Sequence, residues 1–299
     1  MRSRHYCVLA LLCLAALGAQ TGTDYKFVPA GNFPHSTLTV PLGISLKYVV
    51  GYYSFSGGNH AYVEAGASFV DADPDGSTTS YLTSVNRYGV AAGGYCKRGC
   101  NEEAGEHGYT YDIKTGKTTV IDFPLTGAAT TAYGINDFGV VVGGYCPDAT
   151  SCPQGAFNPA SDGFVDTNGA FTTLNYPKAQ ATSPCAINDA GTIVGFYLIN
   201  NTGPHGFLYQ KSQFTTLDFP GAGYTIATGI NNSGVVAGLF SSSTGVHGFT
   251  YYDGAFTQID KPGATSTAVA NINDHNDLVG TWNPAFGTQN FKAVPVAGR

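Results

Sequence analysis

A short motif that recurs six times restricts the folds open to this chain more than any other feature. Clear copies read GINDFGVVVGGY from Gly134 and GINNSGVVAGLF from Gly229, and a shortened copy, GISLKYVVGYY, starts at Gly43. The motif Asn, replaced by Ser in the first copy, recurs at spacings of 41, 50, 52, 43 and 42 residues, as Ser45, Asn86, Asn136, Asn188, Asn231 and Asn273. A near-constant period of this length indicates a repeat architecture with one supersecondary unit per repeat.

Each repeat contains four short segments with the patterns and the Gly, Asn and Pro turns of β-strands. Strand a leads into the Ile-Asn pair, strand b carries Val-Val-x-Gly-aromatic, strand c carries Gly-Phe-x-Tyr and strand d carries Phe-Thr-x-Leu-Asp. Four antiparallel strands per repeat form one blade of a β-propeller. The six repeats therefore predict an all-β, six-bladed β-propeller with four-stranded blades. A β-solenoid is the alternative architecture.

The two ends of the repeat region are complementary. The sixth unit has strands a and b and a candidate strand c at 289–294, but no strand d follows. Residues 37–41, Thr-Leu-Thr-Val-Pro, match the Thr-x-Leu-Asp-x-Pro pattern of the other d strands. We therefore predict that an N-terminal strand at 37–41 completes the last blade and removes its open sheet edge. On this reading the propeller occupies residues 37–299, after a lead-in at 20–36.

Residues 1–19 have the pattern of a secretory signal peptide. Arg2, Arg4 and His5 precede an apolar run from Tyr6 to Leu17, which is shorter than the ~20 residues of a membrane span. Cleavage after this segment would remove two arginines and no acidic residue, and would change the net charge from −6 to −8. We expect a secreted or periplasmic monomer without a membrane span; a short membrane anchor is the alternative.

Five cysteines follow residue 19, and four of them form two close pairs, Cys96–Cys100 and Cys146–Cys152. An exported chain favours disulfides, so we predict two local bridges. Crossed pairing between the two loops is one alternative, and zinc binding by the first pair together with His107 is another. Cys185 is expected to be a small buried thiol.

In combination, these motifs resemble the HAF-type repeat of extracellular bacterial proteins. The resemblance is carried by GIN-x-x-G-x-VVG, then HGF, then FT-x-LD-x-PGA, and covers nearly all of residues 37–294. It implies a secreted bacterial repeat protein. It implies no activity and no catalytic residue.

Composition excludes several classes of protein. Charged residues make up 11% of the chain, aromatic residues 13%, and 40 of 299 residues are Gly, which excludes disorder and disfavours long helices. The negative net charge and the lack of a basic patch argue against nucleic-acid binding. The same charge favours a neutral or polyhydroxylated ligand over a polyanion.

Recurring histidines at the start of strand c suggest a metal site at first sight. They are His60, His107, His205 and His247. Each belongs to a different blade, so they lie around a wide circle and cannot converge on one ion. We predict that each forms a hydrogen bond within its own blade.

A calcium-type sequence, D-x-D-x-D-G, begins at Asp71 and includes Asp73 and Asp75. The acidic residue that closes such a loop is missing, because Leu82 stands in its place. Asp71 also takes the place of the strand d acid found at Asp122. A turn after strand d is therefore the competing interpretation. We expect no cofactor, with a weakly bound Ca²⁺ ion at this sequence as the alternative.

The aromatic residue near the end of strand b recurs in every unit, with Tyr95 and Tyr145 in units 2 and 3. Two interpretations remain open, namely packing between blades and stacking on sugar rings. The loops between strands b and c are longest in the same two units, where they reach Glu106 and Ser161. Long loops on a rigid scaffold often carry binding sites.

We therefore predict a non-catalytic binding module for a glycan or a cell-surface partner, acting through the face of the b–c and d–a loops. The candidate ligand-binding residues are Tyr95, Tyr145, Glu106 and Asp162. A structural repeat protein of the cell envelope and a propeller lyase or hydrolase are the alternatives. The chain has no G-x-S-x-G, phosphate-loop or H-E-x-x-H motif, so no catalytic residue is assigned.

Overall fold

The computed structural model describes residues 24–97, 105–147, 162–200, 202–282 and 289–296. Within these ranges the secondary structure consists of strands, which form six sheets of four antiparallel strands each. The sheets are arranged as blades in a ring, so the predicted six-bladed β-propeller is confirmed. No helix long and apolar enough to cross a membrane occurs in the described part of the chain.

In every blade the innermost strand, next to the central channel, is strand a of the repeat. From the channel outwards, blade 1 contains β2 (Leu38–Ile44), β3 (Tyr48–Phe55), β4 (Gly58–Ala65) and β5 (Ser68–Asp71). Blade 2 contains β6 (Thr79–Val85), β7 (Val90–Cys96), β8 (His107–Asp112) and β9 (Lys117–Ile121). Blade 3 contains β10 (Ala129–Ile135), β11 (Val141–Cys146), β12 (Asp162–Thr167) and β13 (Ala170–Thr173). Blade 4 contains β14 (Ala181–Ile187), β15 (Ile193–Leu198), β16 (His205–Gln210) and β17 (Gln213–Thr216). Blade 5 contains β18 (Tyr224–Ile230), β19 (Val236–Ser242), β20 (Gly245–Tyr252) and β21 (Ala255–Ile259). Blade 6 contains β22 (Thr267–Ile272), β23 (Leu278–Trp282), β24 (Gln289–Pro295) and β1 (Tyr25–Val28).

An N-terminal strand does complete blade 6, but it is not the predicted one. β1 pairs with β24, and Tyr25 lies opposite Pro295. Residues 38–44 instead form β2, the inner strand of blade 1, so the assignment of 37–41 to blade 6 is wrong. These residues lead directly into the first copy of the motif, where every unit requires its strand a. Residues 25–28, which the prediction left outside the propeller, belong to blade 6.

The sequence Asn32-Phe33-Pro34 marks residues 25–28 as the true strand d of blade 6. It is a copy of the turn that follows other d strands, such as Asp218-Phe219-Pro220. The ring of Phe33 stacks on Tyr53 of blade 1 with a centroid distance of 3.7 Å. Phe219 of blade 4 stacks on Phe240 of blade 5 at the same distance. The seam where the two chain ends meet therefore repeats the contact found at ordinary blade boundaries.

The apolar core lies between neighbouring blades. Strand c of every blade contributes one large side chain with no exposed surface: Tyr62, Tyr109, Phe164, Phe207, Phe249 and Phe291. Strand b runs too close to strand a for a side chain at the motif glycine, because a Cβ on Gly143 would collide with Thr131 O. This close approach explains why the Val-Val-x-Gly motif is kept in a strand, where Gly is otherwise unfavourable.

The motif Asn joins neighbouring blades at the a–b turns. Asn136 Oδ1 accepts hydrogen bonds from the main-chain N–H groups of Phe138 and Val140 in its own turn. Its Nδ2 donates to Asn188 O of the next blade at 3.2 Å. The same link recurs at four successive boundaries, through Asn86, Asn136, Asn188, Asn231 and Asn273, and we call these residues the asparagine ring. Asn273 Nδ2 then lies 3.4 Å from Ser45 O of blade 1.

Candidate functional site

The residues proposed from the sequence lie on the face where the b–c and d–a connections leave the blades. Tyr95 and Tyr145 are the penultimate residues of β7 and β11. Glu106 directly precedes β8, and Asp162 is the first residue of β12. All four therefore flank the two long loops, as the sequence predicts.

Most of the two inserted loops, residues 98–104 and 148–161, lies outside the described residues. Cys100 and Cys152 fall in these segments, whereas Cys96 and Cys146 are buried at the ends of β7 and β11. The two disulfides and their connectivity therefore stay predictions.

Tyr145 is packed between blades 2 and 3. Its ring lies on that of Phe123 with a centroid distance of 3.6 Å and an interplanar angle of 2°, and only 7% of the residue is exposed. Tyr95 is 4% exposed and meets Tyr109 edge-to-face at 5.5 Å. The structure places both rings in blade packing, and their stacking on a sugar stays a prediction.

The same contact joins most other blades. In each case one residue follows the acid or Asn at the end of strand d. Its side chain lies on the aromatic ring of strand b in the next blade. Further examples are Tyr176 on Tyr197 at 3.6 Å and Lys261 on Trp282 at 3.7 Å. The stacked aromatic rings fill the space between their blades at these points, so a ligand has to bind beside them rather than between them.

Replacing Tyr145 with Ala should lower the free energy of unfolding by about 3 kcal/mol, the cost of deleting a large buried ring. The matched control is Phe138→Ala, because this ring is 71% exposed and its removal should change stability by less than about 0.5 kcal/mol. Denaturant unfolding of both variants measures the difference. Equal stability losses in the two variants would contradict the packing role of Tyr145.

The recurring histidines form hydrogen bonds within their own blades, so that prediction is confirmed. Each His Nδ1 lies within 2.9 Å of a carboxylate at the end of strand d: His60 with Asp73, His107 with Asp122, His205 with Asp218 and His247 with Asp260. No group of three or more His, Cys, Asp or Glu residues in the described ranges is positioned to hold a metal ion.

Asp73, and not Asp71, takes the place of the strand d acid in blade 1. Its carboxylate also accepts hydrogen bonds from Ser80 Oγ and from the main-chain N–H of Ala61. Asp71 Oδ2 instead accepts a hydrogen bond from Tyr53 Oη at 2.8 Å. Asp71 is the last residue of β5, and the acid has to stand beyond the strand end to reach the histidine. Of the suggested calcium ligands, only Asp75 is free of these contacts, and it is exposed.

Asp162 takes the histidine position in blade 3. Its Oδ1 accepts a hydrogen bond from Asn175 Nδ2 at 2.6 Å, and Asn175 Oδ1 accepts one from the main-chain N–H of Gly163 at 3.0 Å. The pair thus replaces His–Asp with Asp–Asn and ties the end of the blade 3 loop to strand d.

Glu106 is the one sequence-predicted residue whose side chain enters the interior of the ring. Its carboxylate accepts hydrogen bonds from Tyr81 Oη and from Thr131 Oγ1, the latter at 2.8 Å. Tyr81 lies on the inner strand of blade 2 and Thr131 on that of blade 3. Burial raises the pKa of Glu106, and the two hydroxyls offset part of this rise. The carboxyl group therefore bridges two blades in a poorly hydrated place.

Two nearby side chains complete this group. Tyr133, the bulge residue of β10, has a raised pKa because of burial, then because of the Glu106 carboxylate and the Cys185 thiol. Burial raises the pKa of Cys185 to about 12. Tyr81, Tyr133 and Cys185 keep part of their surface accessible although protein surrounds them, as expected for residues beside a narrow channel. We call Tyr81, Glu106, Thr131, Tyr133 and Cys185 the channel cluster.

A glycine makes room for this carboxylate. Strand b of blades 1, 4 and 5 carries a bulky residue directly after the motif glycine: Tyr52, Phe196 and Leu239. Blade 2 has Gly94 at this position. A Cβ there would collide with Glu106 Oε1 and would lie 2.8 Å from Tyr81 Oη. The channel cluster therefore depends on a residue that sets blade 2 apart from most of the ring.

One side chain of blade 6 reaches across the channel between the channel cluster and the asparagine ring. Asn271 of blade 6 reaches past blade 1 and places its Nδ2 3.4 Å from Thr83 O of blade 2. Small residues stand at this level in other blades, including Gly43 and Gly229. Beyond it lies a cavity of about 70 Å³ lined by the asparagine ring and by neighbouring Ile and Asp residues. Asn271 and the asparagine ring therefore lie on the side of the channel cluster that faces away from the b–c and d–a loops.

Sequence reasoning identified Glu106 but missed Tyr81, Thr131 and Tyr133. Along strand a, positions that carry small residues in most repeats alternate with positions whose residue differs from repeat to repeat. Tyr81, Thr131 and Tyr133 occupy the variable positions. The available signal was that polar and aromatic residues stand there in units 2 and 3, whereas unit 1 has Val40 and Leu42.

The fold and site define a six-bladed β-propeller with a polar cluster on one side of its channel. No protein-family model and no curated protein matches the chain. Among solved structures, it resembles the β-propeller domain of the Trilobed protease from Pyrococcus furiosus, with 11% identity, a TM-score of 0.50, and coverage of 88% of this chain and 94% of that domain. It also resembles TolB from Acinetobacter baumannii, with 11% identity, a TM-score of 0.51, and coverage of 85% and 65%.

Acylaminoacyl peptidase from Pyrococcus horikoshii contains a similar propeller, with 11% identity and a TM-score of 0.51 over 84% of this chain. The present chain spans 43% of the length of that peptidase. At such low identity, these likenesses establish the fold and carry no information on function.

Proposed function

We propose that the protein is a non-catalytic binding module for a neutral, hydroxyl-rich ligand such as an oligosaccharide, bound at the loop face of blades 2 and 3. The channel cluster carries the proposal. Carboxylate and phenol oxygens both accept hydrogen bonds, and phenols also donate them. Glu106, Tyr81 and Tyr133 thus offer a compact set of partners for the hydroxyls of a sugar.

The position of the cluster supports this function. It lies towards the face on which the strands flanking the two longest loops end, and Asn271 reaches across the channel on its other side. A bound hydroxyl would meet the buried Glu106 carboxylate, and hydrogen bonds to a charged acceptor are stronger than those between neutral groups. The ligand would enter from the loops, where sequence variation between blades is greatest.

In this proposal the other three candidate residues support the site. Tyr95 and Tyr145 are packed at the ends of the strands from which the long loops start, so they position those loops. Asp162 anchors the end of the blade 3 loop through Asn175. Sugar stacking on the two tyrosines would require part of their packing to open.

Three further features belong to the proposal and are supported by the sequence. We propose export of the chain after removal of residues 1–19. The Cys96–Cys100 and Cys146–Cys152 pairs then form disulfides in an oxidising compartment. The repeats belong with the HAF-type repeats of extracellular bacterial proteins, which they resemble.

The test is an array of neutral oligosaccharides, followed by titration of the best binder in solution. We expect Glu106→Gln to weaken binding about tenfold or more, because it replaces a charged acceptor with a neutral one. Gly94→Ala should have the same effect, because a methyl group there displaces the carboxylate. Glu64→Gln is the matched control, since Glu64 is also a half-buried carboxyl with a raised pKa, on strand c of blade 1.

Thermal unfolding of each variant shows whether the fold is intact. Binding that is unchanged in folded Glu106→Gln would exclude the channel cluster as the site. The absence of any neutral ligand at millimolar concentrations would reject the binding function and favour the structural envelope role.

A further inference from the structure

We propose a second ligand site, on blade 6, that binds a sugar carrying a carboxylate, such as a uronic acid. A cleft of about 510 Å³ lies between the end of β1, the last turn of blade 5 and strands b and c of blade 6. Its polar residues include Lys261, Gln289, Asn290 and Asn32, and Trp282 forms part of its wall. We call it the blade 6 cleft. It is separate from the channel cluster and does not depend on the function proposed there.

The charge of the blade 6 cleft is opposite to that of the whole chain. The sequence has 20 acidic and 14 basic residues, yet the described residues that line the cleft include a lysine and no Asp or Glu. The nearest acid in sequence, Asp260, accepts a hydrogen bond from Gln258 and pairs with His247 of blade 5. The ammonium group of Lys261 is therefore available to an anion.

Lys261 is held in position by an aromatic ring. Its Nζ lies 3.7 Å from the ring centroid of Trp282, the only Trp in the chain. At the same place other blade boundaries have an aromatic residue, such as Phe219 or Tyr176. A cation over an indole face is favourable, and it holds a long, flexible side chain in one region. Blade 6 thus presents a positioned positive charge where four of the other boundaries have a closed aromatic stack.

The His–Asp pair of blades 1, 2, 4 and 5 is also changed in blade 6. Gln289 stands at the histidine position and is exposed. Asn32 stands at the acid position, and its Oδ1 accepts a hydrogen bond from Asn290 Nδ2 at 3.0 Å. The substitution of amides for a carboxylate removes the negative charge from the cleft. The exposed amide of Gln289 can donate to one hydroxyl and accept from another.

These groups fit one class of ligand. The carboxylate of a uronic acid would pair with Lys261, and its ring hydroxyls would bind the Gln289 amide. A single carboxylate gains this local attraction, whereas a long polyanion would also meet the net negative charge of the protein. Trp282 acts as a positioning residue because it holds Lys261.

The experiment measures binding of D-glucuronate and of D-glucose, its neutral counterpart, to the intact protein by titration at low salt. We expect glucuronate to bind about tenfold more tightly than glucose, and added salt should reduce the difference. Lys261→Phe should abolish the preference. It should leave the thermal stability equal or higher, because it restores the aromatic stack found at four other boundaries.

Glu106→Gln separates this inference from the function proposed above. This variant should bind glucuronate like the wild type, because Glu106 belongs to the channel cluster. Equal affinity for the two sugars, no binding of either, or a preference that persists in folded Lys261→Phe would each overturn the inference.

Discussion

A chain that starts at Asn32 should aggregate, or melt about 10–20 °C below a chain that starts at Asp24. The shorter chain lacks β1, so the outer edge of β24 loses the partner that runs from Tyr25 to Val28. An unpaired strand edge is a template for pairing with other molecules. The lost packing alone amounts to several kcal/mol, because large buried side chains cost about 3–5 kcal/mol each.

The contacts of β1 explain the size of this effect. Phe27 lies edge-to-face against Phe291 with a centroid distance of 5.1 Å. Tyr25 and Phe27 both pack against the buried cluster of blade 6 that includes Leu278. The truncation retains Phe33, so the stack on Tyr53 remains possible and the experiment isolates the closing strand.

Light scattering and thermal unfolding of the two chains provide the measurement. As a control for the closing role, a synthetic peptide covering residues 24–36 should raise the melting temperature of the truncated chain when added in excess. A truncated chain that stays monomeric and melts like the longer one would show that β1 does not hold the ring closed.

Replacing Asn231 with Ala should lower the free energy of unfolding by about 3–4 kcal/mol. Its Oδ1 accepts hydrogen bonds from the N–H groups of Ser233 and Val235. Its Nδ2 donates to Asn273 O of the next blade at 3.0 Å. Asn231 is only 3% exposed, and a buried polar group left without a partner costs about 1–3 kcal/mol.

Asn232→Ala is the matched control, one residue along the same turn. Asn232 is exposed, and its hydrogen bonds to Asp189 and Asp274 compete with water. Its loss should cost less than about 1 kcal/mol. Denaturant unfolding with an unchanged m-value compares the two variants. Similar losses would mean that the asparagine ring adds nothing beyond an ordinary surface turn.

The repeat was sufficient to predict the propeller, the number of blades and closure by an N-terminal strand. It was not sufficient to locate that strand, because Thr37–Pro41 matches a strand d pattern although it lies in strand a of blade 1. The turn copy at Asn32-Phe33-Pro34 resolves the register, since its Pro stands four residues before β2, as Pro220 stands before β18. Short strand patterns are ambiguous, whereas turn residues have fixed positions.

The candidate site was predictable only in part. Glu106 was identified through the long loop that it ends, but its partners come from the inner strands of two blades. Tyr81 and Thr131 are 50 residues apart in the chain, and only the curvature of the ring brings them to one carboxylate. The aromatic rings of Tyr95 and Tyr145 show the reverse case. Their spacing fits either packing or binding, and the decision depends on Phe123, in the connection after β9, and on Tyr109 of β8.

The central claim, that a ligand binds at the channel cluster, can be tested most directly by the alkylation rate of Cys185. This residue is the free cysteine of the described chain and adjoins Tyr133 in the channel. Its raised pKa of about 12 keeps the thiol protonated at neutral pH, so labelling of the native protein is slow and easily followed. The best neutral glycan from the array, at saturation, should slow the labelling at least several-fold, whereas a glycan that does not bind should leave it unchanged. An unchanged rate under saturating glycan would contradict binding at the channel cluster.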